Sequence, residues 1–408
     1  MEFIRKLNFK YDPINYLNIG NTLFLTGVFF LPSALPIGAL FLLASIIISF
    51  CISKENFLEK KWNHTFFLCI VSILVSTFYS CVINPSESLL DFEKSKIWLN
   101  LFNWVPIYFA FIGFQIYLKS EKQRLKFQKV FVAGTVPVII SCIMQKFFNL
   151  YGPFETLFGT VVWFNYKHSA EQASGLFNNP NYLGMWLTLC LPFALSALKL
   201  EKNNYLNSVI MYLINILIIY FAFATYSRNA LLGVFLSFLI LIERKKLFLF
   251  SIFFLLILLF YNYILSNFIN IYQVNFSDLS QANIFQKLSS LNTYNPRISI
   301  WSNALNFISM RPFLGWGAGS FPYVFFENSP LKVPFSPESL TQYQHTHNLM
   351  IELAYNFGIP IALLILSTIF SLFINVLKKL KSLNKSLSKY LLYKSLLCSF
   401  FIFLIAHL

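Results

Sequence analysis

Charge is what this chain has least of: Asp, Glu, Lys and Arg together make up 12% of its 408 residues. Soluble domains carry about a quarter of their residues in that form, and the mean hydropathy of +0.63 excludes an ordinary water-facing surface. Cysteine is scarce and unpaired. The six are Cys51, Cys69, Cys81, Cys142, Cys190 and Cys398. Most lie in apolar runs and none forms a C-x-x-C pair, which argues against a disulfide framework or a zinc-thiolate site. The N-terminus carries Arg5, Lys6 and Lys10 but lacks a convincing small-residue cleavage signal, so the first apolar run reads as retained. No internal repeat stands out, which weakens the two-fold architecture of many transporters.

Phenylalanine is abundant, with 49 copies, and apolar runs recur at lengths that cross a hydrocarbon core of about 30 Å. Eleven spans are expected at 16–31, 36–52, 64–83, 97–117, 126–145, 182–198, 205–225, 229–242, 247–263, 349–375 and 389–406. Charge alternates across their connections. One set holds 22 of the 31 Lys+Arg residues against 7 of the 16 Asp+Glu, and the other holds 9 of each. That asymmetry places the basic set in the cytoplasm, and it accounts for a pI of 9.4 without nucleic acid as a partner. The expected fold is an all-α polytopic integral membrane protein of 11–12 transmembrane helices, a single transmembrane domain over 1–408. A large extracytoplasmic loop, 266–346, lies between the ninth and tenth spans, and the C-terminus falls outside.

Polar residues gather on the outer side. In the long loop, Arg297–Met310 has helical apolar spacing through Ile298, Ile300, Trp301, Leu305, Phe307 and Ile308, as expected of a helix on the membrane surface or against the bundle. Arg311-Pro312 should end it, and the glycines of 315–319 allow tight backbone. That segment lacks the lysine of a phosphate-binding P-loop. Arg228, between two spans, either snorkels at a helix end or grips an anion through its planar fork. Arg297 poses the same choice between a surface charge and a second clamp. Gln344-His345-Thr346-His347-Asn348 enters the expected span containing Glu352, an intramembrane carboxylate that needs a partner and is placed to orient a histidine or an arginine. Three readings of the His-x-His pair stand open: a general base, a structural or gating element, and a metal site with Glu352. Ser174–Asn181 contains Asn178, Asn179 and Asn181, which form either a turn with Asn181 as helix cap or a sugar-binding mouth.

At these positions the chain resembles the O-antigen ligase and O-antigen polymerase superfamily of bacterial membrane glycosyltransferases. The matching pieces are Ser174–Leu183 (SGLFNNPNYL), Thr225–Gly233 (TYSRNALLG), Arg297–Ser320 (RISIWSNALNFISMRPFLGWGAGS) and His345–Ile361 (HTHNLMIELAYNFGIPI). In the resembling ligases a His-[Asn/Ser/Gln] pair is followed after nine residues by glycine, and His347-Asn348 with Gly358 fits that spacing. The resemblance implies His347 as the catalytic histidine, with Arg228 and Arg297 facing an undecaprenyl-pyrophosphate-linked glycan donor. Asn178, Asn181, His345 and Glu352 are the further substrate-side candidates. It implies inverting transfer without metal or other cofactor, at the outer face of a bacterial cytoplasmic membrane. The acceptor would be a lipid-A core or a second lipid-linked glycan, and a chain-length regulator would be a further partner of a polymerase. Ligases of this kind usually have one span more than the eleven read here. The different-class alternative is a transporter of a small or anionic solute.

Overall fold

The computed structural model describes residues 13–53, 60–85, 91–168, 172–200, 205–241, 296–328, 344–383 and 386–407. Its helices in chain order are α1 (Pro13–Phe30), α2 (Leu35–Ile52), α3 (Lys61–Phe78, continued by a π-turn at Tyr79–Ile83), α4 (Asp91–Asn100), α5 (Val105–Gly113), α6 (Glu121–Phe147), α7 (Pro180–Leu200), α8 (Tyr205–Ala224), α9 (Arg228–Leu241), α10 (Pro296–Met310), α11 (Phe321–Asn328), α12 (Leu349–Phe357), α13 (Ile359–Lys381) and α14 (Leu387–His407). A small antiparallel hairpin, β1 (Phe154–Thr156) with β2 (Val161–Trp163), lies between α6 and α7.

Among the described residues, eight helical stretches are long and apolar enough to cross a membrane: Leu35–Ile52, Lys61–Ile83, Lys94–Leu118, Glu121–Phe147, Pro180–Leu200, Tyr205–Ala224, Ile359–Lys381 and Leu387–His407. The protein is an all-α polytopic membrane protein. Three of the eleven expected spans are not among these eight. α1 forms where a span is expected, but Asn15, Asn18 and Asn21 dilute its first half. α9 follows the expected span 229–242 as far as Leu241, the last described residue there. The expected span 247–263 lies outside the described residues.

The expected span 349–375 is broken. α12 stops at Phe357, Gly358 turns the chain at a φ of 86°, and α13 starts at Ile359. Glycine takes that left-handed angle without a Cβ penalty, and a Cβ at 358 would collide with the Phe313 carbonyl. Pro360 then sits in the first turn of α13, where its missing N–H removes no helix bond. Glu352 therefore lies on a separate nine-residue helix and not within a membrane-length one.

The described chain forms two compact units, one of residues 1–70, 104–241 and 370–406, the other of 71–103, 242–369 and 407–408. In the first, α6, α7, α8 and α9 share a core that includes Val138, Cys142, Leu183, Leu187, Phe221 and Ala230. α7 and α9 approach through small residues: a Cβ on Gly184 would lie 2.7 Å from the Ala230 Cβ, and one on Gly233 2.7 Å from the Thr188 Cβ. Close packing of this kind drives helix association where lipid is as apolar as the helices. Leu40, Leu43 and Ile47 of α2 are exposed, as a lipid-facing surface requires.

In the second unit, α10, α11 and α12 close around Ile300, Ala304, Phe307, Phe321, Phe325 and Tyr355. α10 is the helix expected from its spacing, but its inward face is 300, 304, 307 and 308. Ile298 and Leu305 are 47% and 57% exposed. The glycine-rich segment after Pro312 serves as a cap for the end of α12. Trp316 and Gly317 donate their N–H groups to the Tyr355 and Asn356 carbonyls at 2.9 Å each, and Ile359 N–H returns to the Pro312 carbonyl at 2.7 Å. Orphan carbonyls at a helix end are satisfied in this way. Arg311 is taken up structurally, stacked 4.3 Å from the Trp316 ring centre and donating to the Asn84 carbonyl at 2.8 Å.

Candidate active site

The His-x-His-Asn run is a braced turn at the head of α12. Asn348 caps the helix, its Oδ1 accepting the N–H groups of Met350 and Ile351 at 3.0 and 3.1 Å. Buried Thr346 is held from both sides. Its N–H donates to Glu352 Oε2 at 2.8 Å, and its carbonyl accepts Trp301 Nε1–H from α10 at 2.8 Å. Thr346 Oγ1 donates to the Asn348 carbonyl at 3.0 Å, and the second Glu352 oxygen accepts from Asn356 Nδ2 at 2.9 Å. Glu352 thus secures the backbone between the two histidines.

With residue 346 pinned, His345 and His347 flank it with ring centres 4.1 Å apart and planes inclined by 47°. His347 adopts a φ of 57°, a left-handed conformation that a non-glycine residue keeps only when its surroundings enforce it. Burial holds His345 below the ordinary histidine value, and the positive charges of His407 and Arg297 add to the effect. Arg297, exposed on the first turn of α10, therefore acts electrostatically on His345, while the same helix supplies Trp301.

In the first unit, Arg228 opens α9 after a compact turn. Thr225 Oγ1 donates to the Ala222 carbonyl at 2.7 Å and accepts Ser227 N–H at 3.2 Å. Tyr226 takes a φ of 52°, and the Ser227 carbonyl accepts Leu231 N–H at 3.1 Å to start the helix. Thr225, Ser227 and Ala230 are buried while Arg228 and Asn229 are exposed. A guanidinium at a helix N-terminus adds its charge to the positive end of the helix dipole, a combination that favours an anion.

Asn178 and Asn181 are both exposed at the head of α7. Asn181 is not the cap. Asn179 fills that position: its Oδ1 accepts Asn181 N–H at 2.8 Å and its carbonyl accepts Tyr182 N–H at 3.1 Å. Pro180 was the signal for it, because proline favours the first helical position and leaves the residue before it as cap.

The structure thus gathers His345, His347, Glu352 and Arg297 in the second unit, and Arg228, Asn178 and Asn181 in the first. Thr346 and Trp301 were missed by sequence reasoning. The tryptophan was read only as part of an apolar stripe, although its indole N–H needs an acceptor when buried. Among the described residues, no three or more His, Cys, Asp or Glu side chains are grouped as a metal site.

No curated protein matches the chain. Residues 213–366 match the family model described as O-antigen ligase, a stretch that contains Arg228, Arg297, His345, His347 and Glu352 but stops short of Asn178 and Asn181. Both arginines and the whole braced histidine turn lie inside that match, so over 213–366 this membrane protein is similar to the O-antigen ligase family.

Proposed function

We propose that the protein transfers a glycan from an undecaprenyl-pyrophosphate donor to a sugar hydroxyl, without metal and with inversion, at the outer face of the bacterial cytoplasmic membrane. The observation that carries the reading is the braced turn, which holds His347 beside His345 in an enforced conformation just ahead of a helix packed against the one bearing Arg297. His347 takes the proton of the acceptor hydroxyl as its oxygen bonds to the anomeric carbon. The bond from that carbon to the pyrophosphate breaks, and its electron pair leaves with undecaprenyl pyrophosphate. Arg228 and Arg297 hold that leaving group, where negative charge grows in the transition state. A single displacement inverts the anomeric centre.

His345, held below its ordinary value, stays uncharged at neutral pH, so it adds no positive charge beside the base. Asn178 and Asn181 offer exposed amides to sugar hydroxyls. The acceptor is a lipid-A core or a second lipid-linked glycan, and a chain-length regulator is a partner in the polymerase case. The test is purified protein in lipid with a lipid-linked donor and an acceptor glycan. Glycosidic product, release of undecaprenyl pyrophosphate and full activity after EDTA are expected. Activity lost to EDTA and restored by one metal would replace the base with a metal site. Solute flux with no consumption of authentic donor would replace the enzyme with a transporter.

A further inference from the structure

Gln145, near the end of α6, is 1% exposed and uses every hydrogen-bonding position of its carboxamide. Its Oε1 accepts the N–H groups of Ser174 and Gly175 at 3.0 Å each. Its Nε2 donates to the Tyr166 carbonyl at 3.0 Å and to Ser174 Oγ at 3.1 Å. One turn earlier on α6, Ser141 Oγ donates to Asn165 Oδ1 at 2.7 Å, and Asn165 N–H donates to the Gly175 carbonyl at 2.9 Å. Gly175 has a φ of 53°, and a Cβ there would stand 2.7 Å from Cys142 Sγ. The loop ahead of α7 is thereby pinned to one face of α6.

The pinned loop reaches Arg228 in one further bond. Ala173 N–H donates to the carbonyl of Ala224 at 2.9 Å. Ala224 is the last residue of α8, four positions before Arg228. On the other side, α7 presses Gly184 against Thr225, Ser227 and Ala230 of the same turn. A glutamine inside an apolar span is costly unless every polar atom is satisfied, and here three of its four bonds go to Ser174 and Gly175 at this junction.

We propose that Gln145 is a positioning residue for Arg228: its carboxamide fixes the Ala173–Gly175 loop, and the loop sets the end of α8 from which the Arg228 turn departs. This rests on the reading of Arg228 as a grip on the donor pyrophosphate. Removing the clamp leaves the guanidinium in place but lets its turn drift, so the loss falls on the donor.

The experiment is a two-residue cycle in the full-length protein. Gln145→Leu is expected to raise the donor KM about tenfold while the acceptor KM holds, an effect of one lost buried hydrogen-bond set. In an Arg228→Ala background the same change should cost nothing more. Hydrogen exchange of Gln145→Leu should quicken in both 172–178 and 224–230 and stay unchanged in 296–310. Gln145→Glu, which keeps the acceptor for the Ser174 and Gly175 amides, serves the same cycle if the leucine variant does not fold, with a smaller rise in donor KM. Additive losses in the double variant, or quickened exchange in 172–178 with none in 224–230, overturn the proposal. If the parental protein transfers no glycan, the glycosyl-transfer reading falls, and the exchange pattern still decides whether the clamp holds the turn.

Discussion

The turn before Arg228 and the turn that carries the histidines each place a non-glycine residue at positive φ, Tyr226 at 52° and His347 at 57°. Their supports differ. The Arg228 turn is held by short local bonds among Ala222, Phe223, Thr225 and Ser227, and by close packing against Gly184. The histidine turn is held by long polar side chains, Glu352 and Asn348 from α12 and Trp301 from α10. The placement of the functional group differs too. Arg228 follows its strained residue and takes its direction from a helix, whereas His347 is itself the strained residue. The first turn should therefore be sensitive to added volume at Gly184 and to loss of the distant Gln145 clamp, and the second to loss of the hydrogen bonds made by its own side chains.

The largest expected effect separates the two turns by chemistry. His347→Ala should lower turnover about 10²- to 10⁴-fold, the range of a lost general base, and His345→Ala should cost less, with both proteins folded by thermal melt. Equal losses would remove the distinction between the rings, and full turnover by His347→Ala would reject its assignment.

Arg228→Ala and Arg297→Ala should each reduce transfer about ten- to a hundredfold, as loss of a charge-assisted bond implies. Lysine at either position should rescue poorly because it lacks the planar fork. Near-parental kinetics in both alanine variants would end the pyrophosphate role.

A third comparison tests the supports. Glu352→Ala strands the buried Thr346 N–H and should cost about 1–3 kcal/mol, while Glu352→Gln keeps an acceptor and should cost less. Asn348→Ala should cost about 1 kcal/mol as a lost cap. Gly184→Val should instead disturb the Arg228 turn, seen as faster hydrogen exchange in 224–230 with 344–350 unchanged. Unchanged exchange in 224–230 would remove the Gly184 packing as a support of that turn.

The smallest effect is on pH dependence. His345 titrates below its unfolded value of 6.5, so the folded protein binds fewer protons than the unfolded chain in that window. Its contribution to stability is present above the unfolded value and is lost as pH falls through the folded one. Melting temperature should decline as pH falls below about 7.5 and on through the folded value, and His345→Gln should flatten that decline. An unchanged slope in the variant would remove the histidine from it.

Membrane residence, helical class and the position of the polar clusters were legible because each depends on neighbours in sequence. Apolar length decides membrane crossing, and a histidine run or a lone arginine stands out against hydrocarbon. Even the break at Gly358 was written locally, in a glycine two positions before Pro360, although a continuous apolar run masked it. The partners of those residues were not legible in this way. Trp301 reaches Thr346 across 45 positions, Gln145 reaches Ser174 across 29, and Ser76 reaches the Leu314 carbonyl across 238. Partition into lipid adds up residue by residue along the chain, whereas a buried hydrogen bond needs two groups at 2.7–3.2 Å, a condition met only once the helices have packed.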